Sequence, residues 1–173
     1  SSHELGELEA NTIKNFKVAL AEKIGAYPSE IIITSGATES NNIALKSFLN
    51  NSNKNHIITS KSEHKCILSI LRHLETQGFE VTYIKPNDNG KITAEMVSNE
   101  INTNTGLVSL MHVNNELGSI NDLHDIGQLC FENGVLFHSD SAQSLGKIDI
   151  DVDELNVDFL SFSAHKIGGP KGI

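Results

Sequence analysis

Between Glu4 and Gly25 the apolar residues Leu5, Leu8, Phe16, Leu20 and Ile24 recur at roughly helical spacing, and Gly25 stands where a helix C-cap is expected. The pattern predicts a first helix there. After the Tyr27-Pro28 break, the β-branched run Ile31-Ile32-Ile33-Thr34 predicts a short strand. Ser35-Gly36-Ala37-Thr38 then reads as a tight turn into a helix through Ile43, Leu45 and Phe48. The alternation continues. Strands are expected at His56 to Thr59, Glu80 to Ile84, Leu107 to Val113, Val135 to Phe137 and Asp158 to Phe162. Helices are expected at Cys66 to Gln77, Thr93 to Ile101 and Leu123 to Glu132. Strands that alternate with helices and read as continuous apolar runs indicate a parallel sheet covered on both faces. The predicted fold class is α/β: three layers, a mostly parallel sheet with helices on both faces, and no internal repeat or interdomain linker.

Composition narrows the function classes. The 173 residues, 38% hydrophobic and 20% charged, suit one globular domain with one buried core. With 22 acidic against 13 basic residues the formal charge is -9, and the lysines are scattered singly. Such a surface repels phosphate backbones and anionic lipid, so neither direct nucleic-acid nor membrane binding is expected. The two cysteines, Cys66 and Cys130, fall in stretches that read as helix and are too few for a disulfide framework or a structural zinc site. No His-Glu-x-x-His or comparable ligand spacing occurs, so no metal is expected, and the compartment expected is the reducing cytoplasm. The chain opens on Ser1 and stops at Gly172-Ile173, and both ends read as cuts through a longer polypeptide.

In doubly wound sheets ligands bind beyond the carboxyl ends of the strands, which singles out five places. Lys166, in Phe162-Ser163-Ala164-His165-Lys166, follows the last strand. A lysine amine drawn out of bulk water can lose its proton and attack a carbonyl to form a Schiff base, or it can be an ordinary surface lysine. Asp140 ends the strand that begins at Val135; its carboxylate can pair with a protonated pyridine nitrogen, with Gln143 donating nearby, or it can cap the turn Ser141 to Leu145. Ser35 to Thr38 join a strand to a helix N-terminus, a place that attracts phosphate but is also a plain capping turn. His64 can stack on a flat ring and move protons, or do nothing of the kind. Asn115 can reach a ligand or cap the turn that leads to Gly118. One site explains five such placements better than five independent caps.

In order along the chain, Thr34-Ser35-Gly36-Ala37-Thr38-Glu39-Ser40-Asn41, Ser62-Glu63-His64, His112-Val113-Asn114-Asn115-Glu116, Asp140-Ser141-Ala142-Gln143 and Ser161-Phe162-Ser163-Ala164-His165-Lys166 resemble the cysteine desulfurases, within the class V aminotransferase group. The similarity runs over essentially the whole chain. Asn115-Glu116 and Pro170-Lys171-Gly172 resemble the branch that supplies sulfur for iron–sulfur clusters and tRNA modification more than the selenocysteine-lyase branch. The resemblance implies the large domain of a pyridoxal 5'-phosphate enzyme of fold type I, present in part over residues 1–173, with the C-terminal small domain absent. It implies that Lys166 holds the cofactor and that His64 stacks on its ring and serves as acid or base. Asp140 would hold the pyridine nitrogen and Gln143 the phenolic oxygen. Ala37, Thr38, Ser163 and His165 would grip the phosphate, and Asn115 would contact the cofactor or the amino acid.

The activity so implied converts L-cysteine to L-alanine and passes sulfur to an enzyme cysteine as persulfide. The partners implied are a second copy in a homodimer and an iron–sulfur scaffold or other sulfur-acceptor protein. Two features depart from the family. The loop with the sulfur-accepting cysteine and the arginine for the substrate carboxylate lie in a continuation not found here. Cys66, close to His64, sits in an apolar helical stretch and reads as a structural, inert thiol. Smaller departures are Gly168 and Ser139. The portion is expected to be inactive alone. The alternatives are a non-catalytic scaffold of the same fold and a class V enzyme acting on another amino acid.

Overall fold

The computed structural model describes residues 4–51, 53–169 and 172. Strands β1 (His56–Ser60), β2 (Glu80–Ile84), β3 (Thr105–Ser109), β4 (Leu136–Asp140) and β5 (Phe159–Ser161) form one sheet in the order β2-β1-β3-β4-β5, every adjacent pair parallel. The helices are α1 (Glu4–Ile24), α2 (Ala37–Asn51), α3 (Lys65–Glu75), α4 (Ala94–Ser98) and α5 (Leu123–Glu132). From β1 the chain adds β2 on one side, then crosses back to add β3, β4 and β5 on the other. A crevice outside the carboxyl ends of the strands is expected at such a reversal.

Side-chain alternation along each strand builds the two cores. Ile57 and Leu107, partners across β1 and β3, lie on one face with Leu45 and Phe48 of α2 and Ile67, Leu71 and Leu74 of α3. Their successors Ile58 and Val108, with Phe137 of β4, lie on the other face with Val97 of α4 and Leu123, Ile126 and Cys130 of α5. Burial of each such side chain contributes about 1.5–3 kcal/mol. A third cluster joins Ala21 and Ile24 of α1 to Ile31, Leu145 and Ile150.

The strand at Val135 to Phe137 extends further than its apolar run, to Asp140, because its polar residues are satisfied inside the sheet. His138, fully buried, places Nδ1 at 2.8 Å from Ser109 Oγ and Nε2 at 3.1 Å from Ser161 Oγ, bridging β3, β4 and β5. Burial pushes its pKa down to about 3, so the ring is neutral, with one nitrogen donating and the other accepting. In β3 the order reverses: the strand begins earlier, at Thr105, and ends at Ser109, short of the expected Val113.

The strand expected at Ile31 to Thr34 does not form. The run joins no ladder, and although Ile31 is buried against α1, Ile32 is 69% exposed. Hydrophobic, β-branched composition fits a pleated surface but supplies no neighbour to pair with. Among the described residues none lies beside it in a sheet; a groove lined both by Ile31 to Thr34 and by Leu160 and Phe162 lies between the run and β5.

Candidate cofactor site

At one end of the site, Thr34 and Ser35 fix the entry to α2. Thr34 Oγ1 accepts the Gly36 N–H at 3.3 Å and lies 2.8 Å from Ser40 Oγ. Glu39 Oε2 accepts the Ser35 N–H at 2.6 Å, which holds the Glu39 carboxyl below the usual range. The capping expected of this turn is therefore present, but it employs Thr34, Ser35 and Glu39. Gly36, at φ 133°, adopts a conformation that L side chains rarely take, and the nearest atom to a Cβ built there is Ser163 Oγ at 3.8 Å. The position is an open cradle beside the helix N-terminus, whose first N–H groups have no intrahelical partner. Ser163 Oγ lies 2.7 Å from His165 Nδ1 across this corner.

His64 is the N-cap of α3, and its Nδ1 accepts the Cys66 backbone N–H at 3.3 Å. Cys66 Sγ lies 2.9 Å from the same nitrogen. The segment before His64 is tied to the loop after β3: Glu63 Oε1 accepts the Met111 N–H at 2.8 Å, and Asn114 Nδ2 donates to the Ser62 carbonyl at 2.9 Å. Asn114 Oδ1 also accepts the N–H groups of Glu116 and Leu117 at 2.9 and 2.8 Å. Capping of the turn toward Gly118 thus falls to Asn114, and Asn115 is left in the wall of the cleft.

Asp140 ends β4 and is 7% exposed. Its Oδ1 accepts the Ala142 N–H at 3.0 Å and its Oδ2 accepts from Asn41 Nδ2 at 2.9 Å. Asp140 therefore caps the following turn and faces the cleft as well. Gln143, half-buried, accepts from Lys147 Nζ at 3.5 Å. Lys166 lies in a single 3-10 turn, Ala164–Ile167, closed by Gly168 at φ 82°. Of the glycine-rich segment after it, Pro170 and Lys171 lie outside the described residues, as does Ile173.

Ala37, Thr38, His64, Asn115, Asp140, Gln143, Ser163, His165 and Lys166 all line one cleft of about 580 Å³. Ligand pockets commonly measure about 300–1,000 Å³. Pyridoxal 5'-phosphate fits this donor set: a glycine cradle and a helix N-terminus for the phosphate, a flat imidazole, a carboxylate, and an amine beyond β5. Three residues escaped the sequence reading. Cys66, expected to be an inert core thiol, is half-buried, lines the cleft and touches His64. Asn41, wholly buried, holds Asp140, and Glu63 braces the loop after β3. Asn41 and Glu63 stand inside the motifs Thr34 to Asn41 and Ser62 to His64, but nothing local marks them, since Asp140 and Met111 lie 99 and 48 positions away.

The family model described as Aminotransferase class-V matches residues 1–173. A protein of Pseudomonas entomophila (strain L48) named "Cysteine desulfurase IscS" is 54% identical over 175 residues, covering 99% of this chain and 43% of that protein. The chain thus spans less than half the length of this relative. Two solved structures superpose over 99% of the chain. "SspA in complex with cysteine" has a TM-score of 0.95 and 48% identity, with 50% of that chain covered. DndA from Streptomyces lividans has a TM-score of 0.90 and 42% identity, with 49% covered.

Proposed function

The chain belongs to the class-V aminotransferase family, and we propose that it is the cofactor-binding portion of a pyridoxal-phosphate-dependent cysteine desulfurase. Such an enzyme takes L-cysteine, leaves L-alanine and transfers sulfur to one of its own cysteines as a persulfide, for iron–sulfur cluster or tRNA thiolation pathways. The observation that carries this proposal is the convergence of Lys166, Asp140, His64, Thr38 and Ser163 on one cleft at the carboxyl end of a parallel sheet. The names of the relative and of the cysteine-bound neighbour support L-cysteine as the substrate.

When bound, pyridoxal phosphate supplies an electron sink that lets bonds at the amino-acid carbon break. The remaining work belongs to the side chains. Lys166 carries the amine that would hold the cofactor and yield it to the substrate amine. Asp140, its carboxylate plane fixed by Ala142 and Asn41, would pair with the ring nitrogen. Gln143 would donate to the phenolic oxygen and Asn115 would contact the cofactor or substrate. Ala37, Thr38, Ser163 and His165 would bind the phosphate around the Gly36 cradle. His64, with Nδ1 occupied by Cys66, would stack on the ring and exchange protons at Nε2.

This portion corresponds to part of the large domain of such an enzyme. We assign it to a cytoplasmic homodimer that meets a sulfur-acceptor or iron–sulfur scaffold protein. Exposed Leu8 and Phe16 on α1, and Leu117 and Ile120 in the loop after β3, support a covering partner. No helix among the described residues is long and apolar enough to cross a membrane.

The test is a titration with pyridoxal phosphate, followed by borohydride reduction and peptide mass mapping. A visible absorbance band and a mass increase on Lys166, both lost in Lys166→Ala, are expected. A label spread over surface lysines, with no band, would refute the assignment.

A further inference from the structure

Between Asp140 and His64 runs a chain of hydrogen bonds that neither the motifs nor the family resemblance predicts. Asn41 is wholly buried and uses both amide hydrogens, one toward Asp140 Oδ2 at 2.9 Å and one toward Cys66 Sγ at 3.4 Å. Cys66 Sγ in turn lies 2.9 Å from His64 Nδ1. The Asn41 carbonyl oxygen is left buried without a hydrogen-bond partner among the described residues. An unsatisfied buried acceptor costs about 1–3 kcal/mol. The opposite amide orientation would set that oxygen against the Asp140 carboxylate, so the unpaired oxygen is the cheaper arrangement.

The direction of the protons along this chain is fixed. His64 Nδ1 accepts the Cys66 backbone N–H, so Nδ1 carries no proton and the neutral ring is protonated at Nε2. The sulfur is then the donor in the second contact to Nδ1. Burial, with the Asp140 carboxylate nearby, pushes the Cys66 thiol up, which keeps the S–H that this direction requires. Cys66 is thereby a poor nucleophile, although it lines the cleft.

We propose that Cys66 is a positioning residue: held by Asn41, its thiol adds a second donor to His64 Nδ1 beside the backbone N–H and so fixes the imidazole's plane in register with Asp140. The proposal rests on taking the cleft as a pyridoxal-phosphate site, but the bond itself is present without cofactor and can be read that way. A side chain needed only to fill space at position 66 would act through volume, and alanine and serine would then behave alike. The side-chain donor would be lost in Cys66→Ala and restored in Cys66→Ser, the backbone N–H staying in place in both.

The measurement is nitrogen-15 NMR of histidine-labelled wild type, Cys66→Ala and Cys66→Ser without cofactor, with His64 assigned by its loss in His64→Gln. The wild type is expected to show one His64 tautomer, protonated at Nε2, with the Nδ1 resonance displaced by an accepted hydrogen bond. The backbone N–H to Nδ1 remains in every variant, so Cys66→Ala should move the Nδ1 resonance part of the way toward its unbonded position, with the Nε2 tautomer kept, and Cys66→Ser should bring it back. Indistinguishable His64 signals in all three proteins would overturn the proposal. In parallel, the visible band of the pyridoxal-phosphate-loaded proteins should shift in Cys66→Ala and return in Cys66→Ser, with Lys166 labelled in each; an unchanged band in Cys66→Ala overturns the positioning role. Absence of Lys166 labelling in the wild type as well would refute the cofactor assignment, and with it any role toward the cofactor, while the NMR comparison still decides the bond.

Discussion

Glu63 Oε1 accepts the Met111 N–H at 2.8 Å, so a buried carboxyl next to His64 holds the loop after β3 against the end of β1. Its other oxygen, Oε2, is buried without a hydrogen-bond partner among the described residues. Burial pushes the pKa up to about 8, the Met111 N–H partly opposing and the nearby Asp140 adding to it. Glu63 is therefore a neutral acid at pH 7.

A raised carboxyl pKa makes folding less favourable as pH increases. Below the ordinary value of 4.5 the group is protonated in both states and costs nothing. Above it the unfolded chain releases the proton first, and stability falls until the folded carboxyl ionises near pH 8. Glu63→Gln keeps an acceptor for Met111 and removes the titration. The variant should gain on the wild type by roughly 2–4 kcal/mol between pH 5 and pH 9, as read from urea unfolding at each pH.

His138 acts at the other end of the pH scale. Its pKa is pushed down by burial, so its contribution is fully present above 6.5 and is lost as pH falls toward about 3. Acid unfolding of the wild type should begin below pH 6.5 with a slope of up to about 1.4 kcal/mol per pH unit from this group. His138→Gln should be less stable at pH 7 but should show a shallower acid limb in circular-dichroism titrations.

Asn41→Leu removes the donor to Asp140 Oδ2 inside the core. The loss should be about 2 kcal/mol by denaturant unfolding, in the range for a buried bond to an ionisable group. Pyridoxal phosphate uptake should weaken as well, because the Asp140 carboxylate loses one of the two bonds that orient it.

Gly36→Val would place a branched side chain in the open cradle and in a backbone region it rarely adopts. The strain should cost about 1–3 kcal/mol of stability. Calorimetric affinity for pyridoxal phosphate should fall by well over tenfold. A stability loss with unchanged affinity would show that the phosphate does not use this corner.

The sheet was legible where strands are apolar. Ile57-Ile58, Leu107-Val108 and Leu136-Phe137 announced themselves, and the α/β class followed from their alternation with helices. Polar strand residues did not: His138 and Ser139 look like loop until Ser109 and Ser161 are seen to flank the histidine. Ile31 to Thr34 failed in the opposite sense, apolar but unpaired. The nine candidate site residues lie close after predicted strands, so position alone gathered them. Asn41 and Glu63 act through contacts across folded elements, which no local pattern encodes; Cys66 meets His64 only two positions away, but its apolar helical stretch reads as core.

Because the cleft takes its walls from residues between Ser35 and Gly172, at the start of α2 and beyond the ends of β1, β3, β4 and β5, it cannot exist in any partly folded form that lacks β5. Walls drawn from such distant parts of the sequence carry a loop-closure cost that must be met before the cleft exists. A molecule that binds there stabilises the fully assembled state alone, in proportion to the logarithm of its concentration over its dissociation constant. Occupancy of the cleft would then double as a quality check, withdrawing correctly folded molecules from the pool exposed to proteases.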